Sequence, residues 1–217
     1  MKKAILFSLA LVLSLGLKAQ SNEQYQSFMK ETISLYDSVK TMDDYKNILN
    51  RFDRIAQAES QEWLPSYYVG LTYIYMSFAK GLEDDQRDDY LDKALEYVDQ
   101  AEEIAGENSE IVLLRGYIYM AKVSVSPAMR GMTLSGKVSA LFEKALAMDP
   151  QNPRANLMVG RWKYGSAQFF GSSTDEACNY MNKALELFQS SSEEAGLNPS
   201  WGLNQAQAMS KRCAENK

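Results

Sequence analysis

The sequence predicts an all-α fold of about nine helices stacked in antiparallel pairs. Apolar residues recur at intervals of three and four almost throughout, the spacing that gives a helix one buried face. No stretch alternates with period two, so no strand is expected. Only five prolines and twelve glycines interrupt the chain, and no polar low-complexity stretch appears, which marks a packed protein rather than a disordered tail.

The chain opens with MKKAILFSLALVLSLGLKAQ: Lys2 and Lys3, an apolar run from Ala4 to Leu17, then small Ala19. A basic head, a short apolar stretch and a small residue form a secretory leader. The run falls short of the roughly 18–20 residues a spanning helix needs, and no cysteine follows it for lipid attachment. Residues 1–19 are expected to be removed after Ala19, leaving one domain, 20–217, in the periplasm or outside the cell. Losing Lys2, Lys3 and Lys18 takes the net charge from −5 to −8. Nucleic acid and anionic lipid both need dense positive charge, so neither is an expected partner.

Tyr25, Phe28, Met29, Thr32, Ile33 and Tyr36 share the first helical face, and Ile48, Leu49, Phe52 and Ile55 the second. The pattern returns in 61–79, 90–104, 109–122, 137–148, 154–164, 175–188 and 199–213. Thr41 ahead of Asp44, Ser109 after Asn108, and Ser173 ahead of Glu176 supply side-chain oxygens for free amides at helix starts. Asp149-Pro150 ends a helix, because proline drives the residue before it out of helical geometry.

The segments AEEIAGENSEIVLLRG and ALAMDPQNPRANLMVG align without a gap, each running 15 residues from alanine to glycine. The first helix of each pair carries a glycine with an aromatic after it: Gly70 and Tyr73, Gly116 and Tyr119, Gly160 and Tyr164. The second carries a small residue, a large one and alanine: Ala94, Val98, Ala101; Val138, Phe142, Ala145; Ala177, Met181, Ala184. Small residues admit close helix approach, and Gly116 is expected to lie against the helix carrying Ala101.

This pattern resembles the tetratricopeptide repeat, with its Gly-x2-Tyr…Ala-x3-Phe…Pro spacing. The chain also looks like single-domain exported repeat proteins of Bacteroidota-type bacteria. The resemblance implies a right-handed α-solenoid of about four antiparallel helix pairs, with a capping helix at about 199–214 to cover the open end. The chain departs from the family within each pair. Gly70 to Ala101, Gly116 to Ala145 and Gly160 to Ala184 are 31, 29 and 24 residues apart, where a roughly 34-residue repeat leaves about 19. The extra residues, KGLEDDQRDDY, VSVSPAMRGMTLSGK and GSAQFFGSSTD, are expected as inserted loops.

The resemblance also implies an inner, concave face built by Leu64, Tyr67, Leu71, Ile74, Glu110, Leu113, Tyr117, Met120, Arg154, Leu157, Arg161 and Tyr164. Read as a groove, it fits a protein or peptide partner with an acidic group, because arginine grips a carboxylate through two hydrogen bonds. The alternative is that the short stack curls enough to bury these side chains. Antiparallel helices keep a constant sum of facing residue numbers. Pairing Cys178 with Cys213, the two cysteines of an exported chain, then sets Ala184 opposite Gln207. The alternative is two unpaired residues packed as small hydrophobes.

Catalysis finds little support. The chain has no histidine, which removes histidine triads, histidine metal sites and the commonest proton shuttle. No P-loop, Rossmann glycine pattern or nucleophile elbow is present. Asp84 to Asp89, DDQRDD, lacks the alternating ligands and central glycine of a calcium loop and reads as the acidic start of a helix. The expected function is therefore a non-enzymatic exported scaffold binding protein or peptide, with no cofactor and no bound metal. The other reading is a small-molecule or glycan binder using aromatics of the inserted segments, such as Phe169 and Phe170.

Overall fold

The computed structural model describes residues 22–190 and 196–215; the leader segment lies outside them. Nine α-helices and no strand occur among the described residues. They are α1 (22–34), which tightens into a 3-10 turn at Leu35–Ser38, α2 (Met42–Ala58), α3 (Trp63–Ser77), α4 (Asp84–Ala105) and α5 (Ser109–Val125). The last four are α6 (Pro127–Met148), α7 (Pro153–Phe170), α8 (Asp175–Ser190) and α9 (Leu203–Glu215). None is long and apolar enough to cross a membrane.

The helix boundaries follow local chemistry. Thr41 and Asp44 form a reciprocal capping box at α2. At α5 the cap is Asn108, whose side chain accepts from the Ile111 amide. Asn152 accepts from the amides of Arg154 and Ala155 behind Pro153, a residue preset for the first helical position. At α8, Ser173 accepts from the Asp175 amide, two residues on, so Glu176 takes no part in that bond. Asp149 leaves α6 in extended geometry ahead of Pro150.

Consecutive helices pair as α3 with α4, α5 with α6 and α7 with α8, and α3 touches α5 as α5 touches α7. The helices α3, α5 and α7 are buried around most of their circumference, whereas α4, α6 and α8 bury one stripe each. The result is a solenoid-like stack of helix pairs closed by α9. The glycines make the intra-pair contacts. A Cβ at Gly70 would sit 3.1 Å from Val98, at Gly160 2.8 Å from Met181 and at Gly116 2.7 Å from Phe142. Gly116 therefore faces α6, its own partner, and not the helix carrying Ala101 as the register had implied.

The inserted segments are mostly helix, with short loops left at 80–83 and 171–174. α4 already begins at Asp84, α5 continues to Val125, α6 starts at Pro127 after one intervening residue, and α7 runs to Phe170. Ser126, out of helical geometry at φ −142° and ψ 77° before Pro127, is the only break between α5 and α6. Gly171, in the left-handed region at φ 66°, closes α7. The extra residues thus lengthen helix pairs into ends that project past the stack.

Cys178 and Cys213 are disulfide-bonded, with Cα atoms 5.6 Å apart. Ala184 packs with Ala206, one place from the Gln207 that the antiparallel sum selects; Gln207 is exposed. A Cβ at Gly202 would meet Phe188 at 2.8 Å, so α9 starts after this left-handed glycine, at φ 114°.

Candidate ligand-binding groove

The inner face is not open. Tyr67, Leu71, Ile74, Leu113 and Leu157 are fully buried, Tyr117 and Tyr164 nearly so, and Met120 packs half-buried against the core. The physical reason is closure of a short stack from its C-terminal end. Trp201 donates its indole N–H to the Tyr67 hydroxyl at 2.9 Å, Leu157 packs with Ala206 of α9, and Tyr164 covers the disulfide with Met181.

The two arginines are also engaged. Arg154 binds Glu110 through Nε and Nη2 at 2.7–3.0 Å, with both side chains about seven-eighths buried. Glu110 further accepts from Tyr67 and Asn152, so this cation is neutralised inside the protein. Arg161 donates from Nη1 to Gln205 at 2.8 Å and lies over the Tyr117 ring.

Apolar surface gathers instead where the extended ends of α5, α6 and α7 meet. Phe169 is 74% exposed, Phe170 78%, Met129 78% and Met132 91%. Such side chains scattered singly need no explanation, whereas an apolar patch of this kind is a candidate binding surface. Between the helices lies a groove of about 610 Å³, lined by Val123, Pro127, Met132, Trp162, Phe169 and Phe170. Gly131 and Gly165 also line it, and a Cβ added at either would meet nothing within 4 Å. A helical glycine costs roughly 0.5–1 kcal/mol against alanine, and no close packing here requires one. Side chains at these two positions would fill the groove.

Polar anchors flank it. The Trp162 indole N–H is fixed on Ser139 Oγ at 2.9 Å. A smaller cleft of about 300 Å³ shares Trp162, Ser166 and Phe170, and it is edged by Lys163. The Lys163 ammonium pairs with exposed Glu176 at 2.9 Å, and that hydrogen bond raises its pKa above the ordinary lysine value. The α6 end is tied back to α4 by the two-point Arg130–Asp88 ion pair at 2.5–2.6 Å, and α5 by Lys122–Asp92 at 2.5 Å. The acidic run at 84–89 thus starts α4 and supplies one anchor. No group of three His, Cys, Asp or Glu residues is placed to hold a metal among the described residues.

Sequence reasoning named Phe169 and Phe170 but missed Met129, Met132, Gly131 and Gly165. The available signal was glycine inside a helical pattern, which asks for a packing or functional reason.

A helix-pair stack with an exposed apolar groove at one end defines a class of fold, not an activity. No family model matches the chain, and no curated protein matches it. Among solved structures, the chain is similar to the HusA haemophore from Porphyromonas gingivalis, with a TM-score of 0.78 and 28% identity over 89% of this chain and 94% of that one. A thermophilic TPR protein from Thermus thermophilus matches at a TM-score of 0.46 and 17% identity, over 88% and 98% of the two chains, and carries no argument at that distance.

Two expectations are corrected by this likeness. The tetratricopeptide assignment does not stand, because the strong match is to a haemophore. A small-residue register at 15-residue intervals arises wherever helix pairs stack closely, so it does not single out that family. The protein or peptide partner does not stand either: the strong match is to a carrier of a small molecule, and the face assigned to that partner is buried. The likeness is to a binding protein and not to an enzyme, in line with the non-enzymatic reading of the sequence.

Proposed function

We propose that the protein is an exported carrier of a haem-type porphyrin, held in the apolar groove between the extended ends of α5, α6 and α7. The observation that carries this reading is the groove itself, floored by Gly131 and Gly165 and walled by exposed Met132, Phe169 and Phe170. Its volume of about 610 Å³ falls within the roughly 300–1,000 Å³ usual for small-molecule sites. The similarity to a haemophore supports the ligand class. The leader-like first 19 residues and the Cys178–Cys213 disulfide support export.

The donor set decides how such a ligand is held. Protein ligands for haem iron are His, Cys, Met or Tyr. This chain has no histidine, both cysteines are in the disulfide, and the groove offers only the Met132 thioether. Binding therefore rests on apolar contact with the faces of the macrocycle, and Lys163, on the adjoining cleft, would exchange its exposed partner Glu176 for a ligand carboxylate.

Absorbance titration with haemin and with iron-free protoporphyrin tests the proposal. Both ligands are expected to bind, with similar affinity. Phe170→Asp should weaken binding at least about tenfold by losing one buried aromatic contact, and Gly165→Leu should do so by filling the groove, with neither melting temperature lowered. Wild-type protein that leaves both spectra unaltered, or variants that bind as wild type, would refute the groove as the site.

A further inference from the structure

A second cavity, of about 630 Å³, lies at the other end of the stack between α1, α2, α3 and the start of α9. Its walls are aromatic: Tyr36 and Tyr75 meet edge to face at 5.8 Å, Tyr45 lies 6.2 Å from Tyr75, and Trp201 lies opposite. Most buried tyrosines here have committed hydroxyls; that of Tyr36 bonds to Thr72 at 2.6 Å and that of Tyr68 to the carbonyls of Leu197 and Asn198. The Tyr45 and Tyr75 hydroxyls bond to no described residue, and both side chains line the cavity.

Arg161 stands directly behind this wall, close enough for its charge to act on Tyr75. Its Nη1 donates to Oε1 of Gln205, a residue lining the cavity, and its guanidinium lies 5.6 Å from the centre of the Tyr117 ring, which in turn contacts Trp201 at 5.9 Å. Among the described residues no carboxylate lies within ion-pair distance of Arg161, whereas Arg154, one helix turn pair earlier on α7, is matched to Glu110. Among the described residues the Arg161 charge is met by neutral groups alone: the Gln205 side-chain oxygen, the Met158 sulfur and the face of the Tyr117 ring. Burial raises the Tyr45 and Tyr75 phenols above their ordinary pKa, so both present O–H donors at neutral pH. At the rim, exposed Lys30 and Asp37 offset each other in sign.

We propose that this cavity is a second ligand site, for a small molecule bearing a carboxylate on a flat ring, with Arg161 reading the charge and the Tyr45 and Tyr75 hydroxyls donating to the ligand. The rings of Tyr36, Tyr75 and Trp201 stack on its body. Nothing in this site depends on porphyrin binding in the groove, which lies on different helix ends.

Calorimetric titration of the purified protein with 2-naphthoate, and with uncharged 2-naphthamide, tests it. Naphthoate is expected to bind at one site, and naphthamide about tenfold or more weaker, the cost of losing a charge-assisted hydrogen bond. Arg161→Gln should remove that preference. Tyr45→Phe with Tyr75→Phe should weaken naphthoate while keeping every ring, which tests the site even where Arg161→Gln disturbs the α7–α9 contact. Phe170→Asp should leave naphthoate binding unchanged. The proposal is overturned if acid and amide bind alike, if naphthoate fails to bind in the millimolar range, or if the tyrosine pair is dispensable. Loss of naphthoate binding in Phe170→Asp would place the carboxylate in the groove and overturn it equally.

Discussion

Arg154 shows how one residue changes meaning with its surroundings. In sequence it is an exposed cation on a helix start; in the fold it closes a chain of polar contacts running from Trp201 through Tyr67 and Glu110 to Asn152. Arg154→Ala would strand the Glu110 carboxylate with only 14% of its side chain exposed. The expected loss is roughly 2–4 kcal/mol, since an uncompensated buried charge costs more than a neutral group. Urea unfolding checks this, and a variant as stable as wild type would show that the network contributes nothing net. Two glycines make the opposite pair. Gly165→Ala adds a Cβ that meets nothing and should stabilise by roughly 0.5–1 kcal/mol through helix propensity. Gly116→Ala drives a Cβ to 2.7 Å from Phe142 and should cost roughly 1–3 kcal/mol by overpacking. Thermal melts of the two variants must therefore move in opposite directions.

At the scale of elements, the projecting ends of α5 and α6 hold the groove's position through α4. Arg130, bonded at two points, keeps the Asp88 carboxyl below the usual carboxylate range. A carboxyl with a depressed folded pKa stabilises the fold above its unfolded value, about 4, and that contribution disappears as pH falls through the folded pKa. Amide-exchange protection over 127–135 should hold from neutral pH down to about 5 and drop below about 4. Arg130→Ala should lower it already at neutral pH, with α3 and α7 unaffected. Protection that ignores acid in the native protein would mean the end of α6 is held by packing alone. The lengthening of these helices was hidden in the sequence because residues 123–137 hold two glycines, a proline and three serines, all loop signals. Tertiary anchoring by Asp88 and Asp92 outweighs that weak local preference.

Across the whole molecule, the disulfide fastens the closing helix to the last pair. Closing a loop over a sequence separation of 35 stabilises by about 3–4 kcal/mol in the chain-entropy model. Reduction should lower the urea midpoint correspondingly and raise exchange first in α9, leaving α3 protected. An unchanged midpoint in reductant would show that packing of Ala206 and Gly202 against α7 and α8 suffices. Because α9 contributes Gln205 to the cavity at Arg161 and the groove lies on other helix ends, reduction should weaken naphthoate binding more than porphyrin binding.

Much of the fold was determined locally. The apolar period marks the helices and Asp149-Pro150 marks a boundary, because each depends on residues within a turn or two; the small-residue register marks where helices approach closely, but only packing decided that Gly116 faces Phe142 of α6. Two cysteines in an exported chain likewise point to each other. What only the tertiary structure decided is which surface remains open. A stack of this length is closed by Trp201 and α9, so the face expected to receive a partner became core, with Arg154 neutralised by Glu110 from 44 positions away. The open surface lies instead at the projecting helix ends, where Gly131 and Gly165 leave a groove beneath Phe169 and Phe170. Exposure is a property of the assembled helices, set by contacts distant in sequence, and no periodicity along the chain encodes it.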